Sequence, residues 1–376
     1  MFFNDDNQNW TGFLSFLAMP IKKVLLIQNK ITLYNLPIYN ILGREDQIDL
    51  TIAHFDSNPV KTEKSFKEIL LHFWKVGPIF FSKENLFRIC MQYDVIICMA
   101  DIHWFSLMSL AFRRNRRFKL IYWGIGVSAS YANKYDQNTK WDFVKFFFMK
   151  RADALIFYSS YPVAKYIRHG FEKKKLFVAH NTVEVKHTLE ILPQKDSILF
   201  IGMLYNEKGV FELLTAYKSA YIENENLPDL IIIGDGDEFT NIAAWIDENN
   251  LKHKIIMKGA IYDDIVLEQF FHRSIACISP NQAGLSVLKS MGYGVPFITR
   301  YDSITGGERF NIINNETGLI FNNKEELISI IRDMEQNRDM FLRMGENSKK
   351  FYDNYRRPDQ MVQGFLDAII FVFTDR

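Results

Sequence analysis

Cysteine is scarce: Cys90, Cys98 and Cys277 are the three in 376 residues, far apart or inside apolar strand-like runs. No CxxC pair occurs, so neither a zinc site nor a disulfide framework is expected. The thiols read as small buried hydrophobes of a reducing compartment. Long hydrophobic runs are also lacking. A bilayer span needs about 20 apolar residues; the stretch from Trp10 to Met19 is shorter, and Pro20 closes it. The acidic opening MFFNDDNQNW has no positive region of the kind that begins a signal peptide. Neither sign of charge is in excess. Lys and Arg number 45 against 44 Asp and Glu, a net charge of +1, which argues against a bulk nucleic-acid binder but not against a local basic patch. Low-complexity tracts and short-period repeats are absent. The expectation is a cytoplasmic protein with at most peripheral contact at the inner face of the cell membrane.

What is present is a globular composition, 48% hydrophobic and 24% charged, on a chain long enough for two domains. Short apolar runs alternate with amphipathic segments, the signal of parallel sheets with crossover helices. Strand candidates in the first half are Val24–Gln28, Leu50–His54, Val95–Met99, Leu120–Trp123, Ala154–Tyr158 and Leu176–Ala179. Their near-continuous apolar character suits strands buried on both faces. Helical patterns fall between them at Phe66–Phe73, Phe105–Phe112 and Tyr161–His169.

A second series follows at Ile198–Ile201, Leu230–Ile233, Ile255–Lys258, Ile275–Ile278, Val295–Thr299 and Leu319–Phe321, with helices at Val210–Tyr217, Glu238–Glu248, Val266–Phe271 and Leu285–Met291. The fold class is therefore α/β, two Rossmann-like units: residues 1–183, a polar linker 184–196, residues 197–355 and a terminal segment 356–376. The tail from Lys324 looks helical, with a start at Pro358 and apolar residues Met361, Phe365, Ile369, Ile370 and Phe373 at helical spacing.

Three motifs carry candidate chemistry. In Ile201-Gly202-Met203-Leu204-Tyr205-Asn206-Glu207-Lys208-Gly209-Val210 an apolar strand ends in glycine and a helix opens after Lys208-Gly209. Ligands of open α/β sheets bind at strand carboxyl ends. Glycine lets backbone approach a phosphate, the helix start offers unpaired N–H groups, and Lys208 adds a full charge. An ordinary strand-loop-helix turn with a surface lysine is the alternative. In Ile278-Ser279-Pro280-Asn281-Gln282-Ala283-Gly284-Leu285-Ser286 a second strand feeds a glycine-bearing loop, and the amides of Gly284, Leu285 and Ser286 sit at a helix N-terminus. Third, Thr305-Gly306-Gly307-Glu308 follows the last long strand and can aim a carboxylate at sugar hydroxyls.

Residues 197–322 resemble the donor domain of family 4 glycosyltransferases of GT-B architecture. The resemblance rests on the "GxLxxEKG" stretch, the Gly234-Asp235-Gly236 turn, the block GLSVLKSMGYGVPFIT and ETGLIF. The first half resembles the family in layout only, through YDVII, YWGIG and RADALIFYSS. The resemblance implies two Rossmann-like domains with parallel sheets facing across a cleft, and a terminal helix that returns to the first domain. It implies a nucleotide-sugar donor on the second domain and a glycan or lipid-linked acceptor on the first. It also implies hexosyl transfer, usually with retention, and no bound metal or cofactor, the nucleotide sugar being a substrate. Lys208 and the Gly284–Ser286 backbone are expected at the diphosphate, with Gly202 and Gly209 beside them, and Lys258 and Gly259 along the base.

Two family glutamates read Asn281 and Lys289 here, positions that face donor sugar and ribose, and Met203 replaces an arginine. This matches better a subgroup with a "PGNVGL…HS…YG" style block that often acts in surface polysaccharide assembly. Ile125 stands where a histidine is usual in YWGIG. His103 and Asp101, just past a strand end, are the remaining candidates for catalysis in the first half, with a satisfied structural histidine as the alternative. Arg113, Arg114, Arg116 and Arg117, with Lys145 and Lys150 of an aromatic-rich segment, are candidate contacts to an anionic membrane surface. A nucleotide-sugar epimerase on the same fold and a non-catalytic partner subunit are the rival readings.

Overall fold

A computed structural model of the chain describes residues 20–56, 62–130, 134–137 and 140–375. The apolar stretch Trp10–Met19 lies outside them. Among the described residues the chain forms two compact units. One holds the residues up to Val127, those from 140 to His180 and those from Pro358 onward; the other holds Ser128–Gln137 and Asn181–Arg357.

The first unit is built on strands β1 (Lys22–Ile27), β2 (Ile48–His54), β3 (Lys67–Leu70), β6 (Val95–Met99), β7 (Lys119–Gly124), β10 (Ala154–Phe157) and β11 (Leu176–Val178). A hairpin of β4 (Phe73–Val76) and β5 (Ile79–Ser82) follows β3. Helices α1 (Leu36–Gly43), α2 (Leu86–Cys90), α3 (Phe105–Met108), α4 (Lys140–Met149) and α5 (Tyr161–Arg168) connect them. The sheet order is β11-β10-β7-β6-β1-β2-β3, parallel throughout. Alternate residues of β1 serve opposite faces: Val24 and Leu26 enter one core, Leu25 and Ile27 the other. Both faces are thus dry, as the apolar runs require. The order reverses between β1 and β6, so the loops after these two strands flank a switch point.

The helix expected over Phe66–Phe73 is a correction. These residues form β3 and the start of the hairpin. β3 is a sheet edge whose polar residues have partners: Lys67 pairs with Asp49 at 2.7 Å, and Glu68 meets buried His54 at 2.8 Å. Charged residues blunt a short edge strand, so no continuous apolar run marks it, and Phe66, Ile69, Leu70 and Phe73 fall at helix-like spacing.

The second unit repeats the plan. Its strands are β12 (Ser197–Ile201), β13 (Asp229–Ile233), β14 (Ile255–Gly259), β15 (Ser274–Ile278), β17 (Phe297–Arg300) and β19 (Gly318–Phe321), in the order β14-β13-β12-β15-β17-β19, all parallel. Short pairs β8 (Ala129–Ser130) with β9 (Lys134–Tyr135) and β16 (Gln282–Ala283) with β18 (Ile304–Thr305) complete it. The helices are α6 (Val210–Glu223), α7 (Phe239–Glu248), α8 (Asp264–Arg273), α9 (Leu285–Gly292), α10 (Lys324–Arg332) and α11 (Arg338–Tyr355). Ile198 and Phe200 face one core and Leu199 the other. Each such side chain contributes about 1.5–3 kcal/mol on burial. The segment 181–196 has no helix or strand.

The last helix, α12 (Pro358–Thr374), belongs to the first unit. Met361, Val362, Phe365 and Ile369 join Tyr39, Ile121 and Trp123 in one core, with the rings of Phe365 and Trp123 4.8 Å apart. The three thiols are buried, and burial pushes Cys90 and Cys277 up to about 12, so they are inert.

Candidate functional site

The second sheet reverses its order between β12 and β15. The loops after these strands are the two glycine-bearing motifs, so the switch-point rule and the motif reading select the same place. Three neighbouring strands end in glycine here: Gly202 after β12, Gly234 after β13 and Gly259 closing β14. They are stitched together, with Gly202 N–H donating to Ile233 O at 3.0 Å and Gly234 N–H to Gly259 O at 2.9 Å. A Cβ on Gly234 would lie 1.9 Å from the Gly202 carbonyl oxygen. Only glycine permits this approach.

Lys208 ends a short 3-10 turn, and Gly209, at φ +75°, reverses the chain into α6. That left-handed conformation strains any residue with a Cβ. The Lys208 Nζ lies 3.5 Å from where a Gly202 Cβ would be, so the ammonium folds back over the strand end. Burial pushes it down to about 8, and no carboxylate among the described residues pairs with it. The acid in the first turn of α6, Glu212, is engaged by Arg300 at 3.1 Å. Lys208 also sits at the positive end of α6, where a cation is unfavourable. A half-buried ammonium and a helix N-terminus of the same sign leave a place whose charge only an anion balances.

The second loop comes to the first. A Cβ on Gly209 would meet the Asn281 side chain at 2.7 Å. Asn281 Oδ1 and Gln282 Oε1 are buried and accept no hydrogen bond among the described residues. Buried polar atoms left in this state call for a partner from outside the chain. In α9, Val287 N–H closes the first turn on Gly284 O at 2.9 Å. The amides of Leu285 and Ser286 therefore precede the helix's own bonding. A Cβ on Gly284 would meet nothing within 4 Å, and the same holds for Gly259, so both open onto free space.

Other sequence candidates are placed differently. Lys289 is tied to Asp264, at the start of α8, by an ion pair, so its ammonium is neutralised from the next helix. Glu308 is 4% exposed and does not face open space. Its carboxylate accepts from Asn181 Nδ2 at 2.6 Å, Gly306 N–H at 2.7 Å and Thr305 Oγ1 at 3.1 Å. It fastens segment 181–196 to the loop after β18, in place of the expected free carboxylate. Lys258 is exposed on β14. Gln282 was missed, although it stands beside Asn281 in the same loop.

In the first unit, His103 and Asp101 follow β6 at that sheet's switch point. Asp101 Oδ1 lies 2.7 Å from His103 Nδ1 and accepts the His103 N–H at 2.9 Å. The pair is solvent-accessible. Two of the basic residues are corrections to the expected membrane set. Arg116 bonds Asp153 at 3.0 Å and the Arg151 carbonyl at 3.0 Å. Lys145 donates to Gly126 O at 2.9 Å. Both side chains turn into the fold. Arg113, Arg114, Arg117 and Lys150 remain exposed.

Residues 181–351 match the family described as glycosyl transferases group 1. An uncharacterized glycosyltransferase of Methanocaldococcus jannaschii is 25% identical over 197 residues, 50% of this chain and 53% of that one. The chain spans about half the length of the curated relatives it matches. Among solved structures, TarM superposes with a TM-score of 0.70 at 11% identity, covering 93% of this chain and 99% of that one. Anabaena HepE in complex with UDP-glucose gives a TM-score of 0.67 at 15% identity, with coverage of 93% and 99%. The fold is GT-B, two Rossmann-like α/β units, and the residues that match the group 1 glycosyl transferases lie in the second unit.

Proposed function

We propose that this chain is a glycosyltransferase that moves a hexosyl group from a nucleoside-diphosphate sugar to a glycan or lipid-linked acceptor in surface polysaccharide synthesis, with retention of anomeric configuration. The observation that carries the reading is the unpaired, half-buried Lys208 ammonium at the switch point, beside Asn281 and the open start of α9. The bond between sugar C1 and the diphosphate oxygen breaks, the acceptor oxygen bonds C1, and the acceptor proton passes to the departing diphosphate. The charge that grows on the diphosphate is met by Lys208 and the Leu285 and Ser286 amides, fixed in place before reaction. Asn281 and Gln282 supply acceptors for donor hydroxyls. No step calls for a metal or cofactor.

The test is a donor panel with lipid-linked and glycan acceptors. Sugar transfer from one nucleoside diphosphate supports the reading. Conversion of donor without acceptor points to an epimerase, and nucleotide binding without turnover to a partner subunit; either sinks it. A thermal-shift screen locates the donor first, since a ligand at about 100 Kd adds about 2.7 kcal/mol.

A lipid-linked acceptor places the protein at a membrane, although no helix among the described residues is long and apolar enough to cross one. An aromatic chain on the first unit fits this: Trp74 packs on Phe81, Phe81 on Phe105, Phe105 on Phe148, and Phe148 on Phe112 and Phe147. Trp141 and Phe143, on the same helix as Phe147 and Phe148, are 64% and 78% exposed. Arg151 lies over Phe112 and Phe147, with Arg113, Arg114 and Arg117 nearby in sequence. Such mixing suits an anionic lipid interface. Sedimentation with vesicles holding phosphatidylglycerol is expected to drop about tenfold in a Trp141→Ser/Phe143→Ser variant. Equal sedimentation of variant and wild type would remove the membrane from the proposal.

A further inference from the structure

A second group of polar side chains lies in the second unit, away from the phosphate-facing loops. His187 of segment 181–196 and Glu268 and His272 of α8 bring ligand atoms within 4.8 Å of one another. The two α8 residues stand four apart, on one helix face, and are only 1% and 5% exposed. Three donors orient the Glu268 carboxylate: Thr188 N–H at 2.8 and 3.0 Å, Leu189 N–H at 3.3 Å and the Thr188 hydroxyl. Carboxylates that bind metals are held in this way by their neighbours.

His272 Nε2 is the telling atom. It is buried, lies 3.4 Å from Glu268 Oε1, and makes no hydrogen bond among the described residues. A direct bond would bring the two atoms closer. Zinc–ligand bonds of about 2.0–2.2 Å at the tetrahedral angle separate two ligand atoms by about 3.3–3.6 Å. The observed gap is the edge of such a tetrahedron. His187 approaches from the solvent side, its ring 5.5 Å from that of Tyr293, which His272 also meets at 5.4 Å. Lys349 Nζ is 3.4 Å from His187 Nε2 and is itself held by Asp353 at 3.0 Å.

We infer that His187, Glu268 and His272 form a binding site for one divalent cation of the zinc class, with solvent in the fourth position, which pins segment 181–196 to α8. Two imidazoles and one carboxylate favour zinc and its neighbours over magnesium. The ion takes no part in the transfer. Tyr293 follows the carboxyl end of α9, and Gly284 precedes its amino end, about 12 Å away along an eight-residue helix. The benefit is mechanical: the ion ties the seventh of sixteen residues without regular structure to α8.

The test uses the full chain without a polyhistidine tag, stripped by chelator and titrated with zinc chloride. One equivalent is expected to bind, with a Tm rise of about 5–10 °C at a hundredfold excess over Kd. Magnesium should give no rise. His187→Ala, which removes an exposed ring, is expected to weaken zinc binding at least tenfold with the metal-free Tm unchanged. Lys349→Met, which removes the adjacent cation, should tighten it severalfold. Absence of zinc uptake, equal response to magnesium, or unaltered uptake in His187→Ala would overturn the site.

Discussion

Exchange of Lys208 for methionine is expected to cut kcat/KM for sugar transfer by about 10²–10³ while the Tm holds or rises. The catalytic loss is that of one preorganised charge at the leaving group, which is worth about 2.7–4 kcal/mol in comparable sites. The stability expectation runs the other way because the ammonium has no carboxylate partner and sits at the positive end of α6. Methionine keeps the packing against Gly202 and removes a charge that burial disfavours. A variant within twofold of wild-type turnover would end the role assigned to Lys208. A fall in Tm that parallels the fall in rate would make it a packing residue.

The same lysine sets a pH dependence. Its folded pKa is lowered to about 8, against about 10.4 for an unfolded lysine. Between those values the unfolded chain binds the extra proton, so this residue makes stability rise with pH across that window. Donor affinity moves oppositely, since the diphosphate wants the charged form: it should hold below about pH 8 and fall above. Binding at pH 8.5 should then draw a proton from buffer, which calorimetry in buffers of different ionisation enthalpy reads directly. An enthalpy independent of buffer would exclude Lys208 from the diphosphate.

Most of the sheet architecture was legible because strands buried on both faces cannot hide: VLLI at β1 and VIIC at β6 have no polar row. The edge strand β3 was not, since its charges are satisfied by Asp49 and His54 from the neighbouring strand. The same limit governs the site. Glycine-bearing loops after β12 and β15 were visible, since both the turn and the helix start are local. What each charged side chain does was not. Glu308 is occupied by Asn181, 127 positions away, and Lys289 by Asp264, 25 positions away. Lys145 and Arg116 looked like surface cations but serve a carbonyl and a half-buried carboxylate. Local sequence announces backbone geometry, whereas ionic partnerships are set by the assembled fold.

The glycines of the site separate framework from contact, and two alanine variants should behave in opposite ways. Gly234→Ala places a Cβ 1.9 Å from the Gly202 carbonyl and 3.5 Å from Leu204 Cγ. No rotamer relieves an overlap with backbone, so the ends of β12 and β13 must part. Overpacking of this kind costs about 1–3 kcal/mol, or about 2–12 °C in the second unit's Tm, and nucleotide binding should weaken with it because Lys208 rests on the displaced Gly202. Gly284→Ala meets no atom within 4 Å and starts from an extended φ of −104°, so its Tm should match wild type. Its methyl instead enters the space before the α9 amides, where the diphosphate is proposed to dock, and donor KM should rise about tenfold or more. If Gly284→Ala binds nucleotide as well as wild type does, the open start of α9 is bare surface, and the anion must be held by Lys208 alone or not at all.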